Sequence, residues 1–236
     1  GGQSYWQPTD PAHPTGNYTF SEIDRLSGDA LNTYLLKECV DMNHVQVLED
    51  EHVVIISCRI SGSVVKYDLD SRHVRWTAGG DNGTLTLVDE DGTTYPPGWS
   101  LWSGQHNAEY FGDNKYFLFD NQYDQMTPSR LLVFAVDEDA GTATVEYTYT
   151  FFDTWPHGYS EVFGDNDQLP TGNMLTCWWP NALSPARDLQ YDTQLLEVTH
   201  SKEIAWQMSI FGQHECDGGS DHLCNRNIDV GWKVYS

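Results

Sequence analysis

The chain reads as all-β, a β-propeller segment of four-stranded blades with about three and a half blades present. Three observations predict this. One strand–turn–strand unit recurs four times, and short apolar stretches alternate with Gly, Asp and Asn turns. Aromatic residues make up 13% of the 236 residues, including nine Trp and thirteen Tyr. Aromatic and β-branched side chains suit a pleated, half-buried surface, so this composition favours strands over helices.

The recurring unit is an apolar strand, an acidic or Gly turn, and a strand that ends in an aromatic residue. It appears first as Tyr18 to Asp24, a turn at Ser27-Gly28, and Ala30 to Tyr34. The second copy is Val64 to Leu69, a turn at Asp70-Ser71, and His73 to Trp76. The third is Leu131 to Val136, a turn from Asp137 to Gly141, and Thr142 to Tyr149. The fourth is Leu195 to Thr199, a turn at His200-Ser201, and Glu203 to Trp206. Two further strands precede each of the last three copies: Val45 to Leu48 with Val53 to Ser57, Ala108 to Phe111 with Tyr116 to Phe119, and Val162 to Leu169 with Asn173 to Cys177. Four short strands at a period of roughly 60 residues make a blade lengthened by loops.

The chain therefore divides into a half blade at 17–36, blades at 42–78, 104–150 and 160–210, and a loop with a terminal strand at 211–236. Propellers close with typically four to eight blades, because closure protects the sheet edges. These residues alone are not expected to close a ring. An upstream segment of the same gene product, or a partner chain, is expected to supply the missing strands. Long insertions at 79–103, 121–129, 153–160, 178–193 and 211–230 are expected to be functional loops or partner surfaces.

Charge narrows the function classes. Twelve basic residues against thirty-five acidic ones give a formal net charge of −23. Such a field repels phosphate backbones, which argues against a nucleic-acid partner and suits a solvated surface in an extracellular medium. No apolar run approaches the ~18 residues of a membrane span. Gly1 to Trp6 lacks the charged and apolar regions of a signal peptide, so the chain is expected to begin after processing or mid-protein. Cys216 and Cys224 bracket a short Gly-rich loop that a disulfide would close. Cys39, Cys58 and Cys177 read as buried small hydrophobes. Sequons at Asn17 and Asn82, expected in turns or loops, join that Cys pair in pointing to a glycosylated protein of a secretory or other oxidising compartment.

Most of the nine His sit in turns and loops, and no metal-ligand spacing such as HExxH or CxxC is present, so no metal site is expected. His44 and His106 differ. Each precedes the first strand of its blade, in Asp41-Met-Asn-His44 and Ser103-Gly-Gln-His106. First strands line the axis of a propeller, so both imidazoles are expected to face one mouth. Arg59 closes the second strand of the first complete blade and is expected to reach the same region. Two imidazoles and a guanidinium together form an anion site within a negative protein.

An ordered set of motifs then resembles the PAPS-independent arylsulfotransferases and their eukaryotic relatives. The set comprises Asn43-His44, Ser57-Cys-Arg59, Val64-Val-Lys-Tyr-Asp68, Val74 to Gly80, Gly104-Gln-His106, Phe119-Asp-Asn121, Ser129-Arg130, and Pro170 to Leu175 with Ala205-Trp206. The resemblance implies a six-bladed ring that moves a sulfuryl group from an aryl sulfate to a phenolic acceptor, without nucleotide or metal cofactor. His106 matches the nucleophile that becomes sulfohistidine; His44 and Arg59 match the groups that stabilise sulfate charge and handle the leaving phenolate. Gln46 stands where the family usually carries Asn in a His-x-Asn-Ser run. With Asn121, Arg130 and Trp102 it completes the expected substrate-binding set, while Trp99 and Tyr123 are further candidates for stacking on an aryl ring. A second reading stays open at this stage: a non-catalytic propeller serving as a structural or binding module in a larger assembly.

Overall fold

A computed structural model describes residues 17–37, 39–151, 158–179 and 191–211. Within them the chain is all-β apart from one 3-10 turn at Glu49–Glu51. β1 (Asn17–Ile23) and β2 (Ala30–Lys37) form an antiparallel pair. The next sheet is a meander of β3 (Met42–Leu48), β4 (Val53–Cys58), β5 (Ser63–Asp68) and β6 (His73–Ala78). After it come two short strands, β7 (Thr86–Val88) and β8 (Thr94–Tyr95). A second meander follows as β9 (His106–Gly112), β10 (Lys115–Asp120), β11 (Arg130–Asp137) and β12 (Thr142–Thr150). The last sheet is β13 (Asp165–Gln168), β14 (Met174–Trp178), β15 (Tyr191–Val198) and β16 (Ile204–Phe211).

The strand interiors explain how the sheets stack. Every residue of β4 (VVIISC) is buried. Successive side chains of a strand point to opposite faces, so a continuous apolar run marks a sheet covered on both sides. Ile55 joins a core with Trp76, Trp102, Tyr116, Leu118 and Phe134, between the first and second meanders. Val54 and Ile56 turn the other way, into a core with Tyr34 and Leu36 from β2. β10 repeats the pattern: Tyr116 and Leu118 face the first meander, while Phe117 and Phe119 meet Met174, Trp178 and Leu196 of the last sheet. The inner strands also touch in series, β3 and β4 against β9, then β9 and β10 against β13.

Turn chemistry sets the registers. Asp113 and Asn114, both at positive φ, form the two-residue turn between β9 and β10, the twist that a tight hairpin favours. A polar tie crosses between sheets as well. Lys66 is buried with its Nζ 2.8 Å from Glu51 and 2.9 Å from Glu138, and Trp76 Nε1 donates to Glu138 at 3.1 Å. Three charges and an indole thus satisfy one another where an unpaired ammonium would be costly.

Several expectations need correction. The 79–103 insertion is not only loop: β7 pairs in parallel with β12, Thr86 opposite Thr142, and with β8 extends the second meander to six strands. This covers the outer edge of β12, which otherwise leaves a row of unpaired backbone groups. Asn17 opens β1 and does not lie in a loop, whereas Asn82 sits exposed in a turn. Cys39 and Cys58 are not separate small hydrophobes. They form a disulfide with Cα atoms 5.2 Å apart, while Cys177 is buried. Cys216, Cys224 and the terminal strand of 211–236 beyond Phe211 lie outside the described residues. No helix among the described residues is long and apolar enough to cross a membrane.

Candidate functional site

His106 is the first residue of β9 and His44 the third of β3, so both lie in the opening part of the first strand of their meander. A register irregularity accompanies each one: between Met42 and His44 on β3, and between Glu109 and His106 on β9. Bulges re-aim side chains. On β9, Glu109 pairs with Phe117 and His106 with Phe119. Phe117 and Phe119 share a face, so the bulge brings His106 and Glu109 to one face despite their odd spacing.

The residues before His106 are shaped by close packing. Gly104 has φ +66, and a Cβ there would meet Tyr123 Cβ at 2.6 Å, so no larger residue fits without displacement. Gln105 is fully buried; its Nε2 donates to Cys58 O and to Ser63 O, both at 3.0 Å, and its carbonyl accepts from Asn43 Nδ2 at 2.8 Å. The Gly-Gln-His run is thereby fastened to the first meander at the residue that precedes Arg59.

His106 itself is buried in a polar cage. Its Nδ1 lies 2.9 Å from Asn121 Oδ1 and 3.1 Å from Gly104 O. The backbone N–H of Phe163 donates to Nε2 at 3.2 Å, and the Phe163 ring stands edge-on to the imidazole with centroids 6.0 Å apart. Burial pushes the His106 pKa down to about 4; the Asn121 hydrogen bond opposes this, and the Arg59 charge adds to it. At neutral pH the ring is uncharged and carries a lone pair.

Arg59 follows β4. Its Nη1 donates to Asp41 Oδ2 at 2.9 Å and its guanidinium lies over the Tyr123 ring, 5.3 Å from the centroid. Backbone bonds from Arg59 N–H to Asp41 O (2.8 Å) and from Ile60 N–H to Val40 O (3.1 Å) run beside the Cys39–Cys58 crosslink. His44 is half-buried, with Nε2 3.0 Å from Glu109 Oε1, a contact not aligned as a hydrogen bond. Beyond Glu109 stand Asp165 and Asp167, whose pKa values are raised, by burial first and by the Glu109 charge in addition.

The four expected substrate-binding residues turn their polar groups inward. Gln46 Oε1 accepts from Tyr110 N–H at 2.7 Å and its Nε2 donates to Tyr110 O at 3.0 Å, imitating a ladder step between β3 and β9. Arg130 donates through Nε to Asp120 at 2.7 Å and through Nη2 to Leu101 O. Asp120 is fully buried, and burial raises its pKa against the opposing pull of Arg130. Trp102 is a core residue stacked on Phe134 at 5.3 Å. Asn121, fully buried, is bonded to His106 and to two carbonyls of the segment facing it. Of the aromatic candidates, Trp99 and Tyr123 are exposed. Sequence reasoning missed Asp41 and Glu109, the carboxylates paired with Arg59 and His44. The one signal in the sequence was Asp41 itself, a carboxylate immediately before the Met-Asn-His run.

The all-β scaffold thus holds a buried histidine, uncharged at neutral pH, near enough to Arg59 for the arginine charge to bear on it. The chain belongs to the arylsulfotransferase family, whose model matches residues 39–210. No curated protein matches the chain. Among solved structures it is similar to a protein of unknown function from Bacteroides caccae, at 9% identity and TM-score 0.46, covering 81% of this chain and 59% of that one. It is also similar to the periplasmic gluconolactonase of Pseudomonas aeruginosa, at 13% identity and TM-score 0.41, covering 75% and 42%. A third is a putative 6-phosphogluconolactonase from Bacteroides fragilis, at 11% identity and TM-score 0.42, covering 76% and 42%. The chain thus spans between 42% and 59% of the length of these three structures.

Proposed function

We propose that this chain carries the catalytic histidine of a propeller-shaped aryl-sulfate sulfotransferase, and that His106 Nε2 is the nucleophile. The observation that supports this most is the state of His106: buried, uncharged at neutral pH, with Nδ1 engaged by acceptors and the Nε2 lone pair directed at a backbone donor. An unprotonated imidazole attacks an electrophile where an imidazolium has no lone pair to offer.

In the first half-reaction the Nε2 lone pair forms a bond to the sulfur of an aryl sulfate. The bond from sulfur to the aryl oxygen breaks and the phenolate leaves, giving N-sulfohistidine. In the second, a phenol gives its proton to the His44 imidazole left neutral by the first half-reaction, its oxygen attacks that sulfur, the N–S bond breaks, and the electron pair of that bond returns to Nε2. The bound sulfuryl oxygen takes over the Phe163 N–H as sulfur approaches. Arg59 and His44 offset the charge on sulfuryl and phenolate oxygens, and a protonated His44 delivers the proton to the leaving phenolate. Tyr123, exposed beneath the Arg59 guanidinium, offers an aromatic surface to the aryl group.

The remaining strands of the ring come from outside the described residues. Ile204, Trp206 and Met208 alternate along β16 and are exposed, as are Leu31 and Leu35 on β2, which suits further blades packing at both ends. The Cys39–Cys58 crosslink and the acidic surface suit an oxidising, secretory compartment.

The test is transfer from an aryl sulfate to a phenol by the full-length protein without added nucleotide. Turnover is expected in the wild type and none above background in His106→Ala. Turnover that survives in His106→Ala, or a wild type inert across several donors, would overturn the assignment.

A further inference from the structure

We propose that Asn121 is a positioning residue of this site, a single carboxamide that holds the His106 ring from the Nδ1 side and also holds the segment facing its Nε2. The proposal rests on the reading of His106 as the nucleophile. Asn121 directly follows β10 and is fully buried. Its Nδ2 donates to Ser160 O and to Phe163 O, each at 2.9 Å. Both partners are carbonyls that can only accept, so the amide orientation is set and Oδ1 is the atom facing His106. An oxygen facing Nδ1 at 2.9 Å, with the Gly104 carbonyl at 3.1 Å, requires Nδ1 to be the protonated nitrogen. The lone pair is then on Nε2, where the Phe163 N–H donates to it.

One side chain therefore couples two distances that matter for attack. The first is that of the ring from its Nδ1 acceptors, and the second is that of Nε2 from the backbone donor beside the incoming sulfur. As the N–S bond forms, positive charge develops on the imidazole and its Nδ1–H becomes a stronger donor. The bond to Asn121 Oδ1 thus strengthens in the transition state more than in the ground state, which is what raises kcat. Neighbouring bonds brace the same segment. Ser160 N–H donates to Ser129 Oγ at 2.9 Å, and Ser129 N–H donates to Gly158 O at 2.8 Å. With both amide protons and the oxygen engaged, Asn121 acts through His106 and not on substrate.

The experiment combines transfer kinetics with NMR of the imidazole nitrogens in the His-labelled full-length protein, assigned by the signals lost in His106→Gln. The wild type should show the Nδ1–H tautomer at His106 at neutral pH. Asn121→Asp keeps the acceptor, places a charge beside Nδ1 and gives up both amide donors, so the His106 pKa should rise by about one unit or more. Asn121→Ala should lower kcat by about 10²-fold while the KM for donor changes by less than about threefold. Thermal melts show whether each variant folds, and the near-isosteric Asn121→Asp supplies the readout if Asn121→Ala does not. Wild-type kcat in Asn121→Ala, or a His106 titration unmoved in Asn121→Asp, would overturn the proposal. A wild type without transfer activity, in which Asn121→Asp still shifts His106, would sink the sulfotransferase reading and keep the ring-holding contact.

Discussion

His44 and His106 lie in the opening part of the first strands of neighbouring meanders, each beside a bulge, and their surroundings differ in kind. His106 is enclosed by neutral partners, two oxygens on Nδ1 and a backbone N–H on Nε2. His44 is half-buried and faces the Glu109 carboxylate. Equivalent positions in the strand order thus yield an uncharged ring in one case and a ring beside a negative charge in the other. Strand order brings a histidine to the site, and the neighbours decide which chemistry it suits. The bracing differs too. The His44–Arg59 side is pinned covalently by Cys39–Cys58, whereas the His106 side is held by hydrogen bonds among Asn121, Ser129 and Ser160.

Replacing Arg59 breaks the comparison most severely, because its charge serves both sides. Arg59→Ala should reduce kcat/KM for an aryl sulfate by about 10²-fold or more. Arg59 also helps to hold the His106 pKa down, so its loss should move that pKa up from about 4. Activity falls as pH drops through the His106 pKa, because protonation removes the lone pair. The acidic limb of the kcat/KM profile should therefore shift to higher pH in Arg59→Ala. An unmoved limb would separate Arg59 from His106.

The crosslink offers a smaller and more local effect. Cys39 and Cys58 are 19 positions apart in sequence, a loop closure for which chain entropy suggests about 3 kcal/mol of stabilisation. The double variant Cys39→Ala/Cys58→Ala should lose stability of that order in denaturant unfolding. It should weaken the Arg59-dependent part of activity while leaving the His106 tautomer intact. Loss of that tautomer would show that the two sides share one brace.

Most strands were legible because short apolar or aromatic runs lie between clear turn residues, as in β4, β10 and β11. β7 and β8 were not, since three- and two-residue strands among Gly, Asp and Pro carry no period of their own. The disulfide was missed for a related reason. Cys39 and Cys58 sit in apolar surroundings, as buried thiols also do, and only the β3–β4 pairing reveals that they meet. His44, Arg59 and His106 were singled out by motif and strand position. Their partners Asp41 and Glu109 were not, because bulges change which side chains share a face. Trp102 shows the opposite failure: an aromatic beside a site motif looked like a substrate surface, yet it stacks on Phe134 in the core.

The central claim is that His106 Nε2 accepts the sulfuryl group. It is tested most directly by incubating the full-length protein with an aryl sulfate and no acceptor, quenching under alkaline conditions, and mapping the adduct by peptide mass spectrometry. A sulfonate on the peptide containing His106, formed with stoichiometric release of the phenol and discharged when a phenol is added, is the expected result. Phenol release and transfer with the adduct on another residue, or with no adduct and direct passage from donor to acceptor, would contradict it.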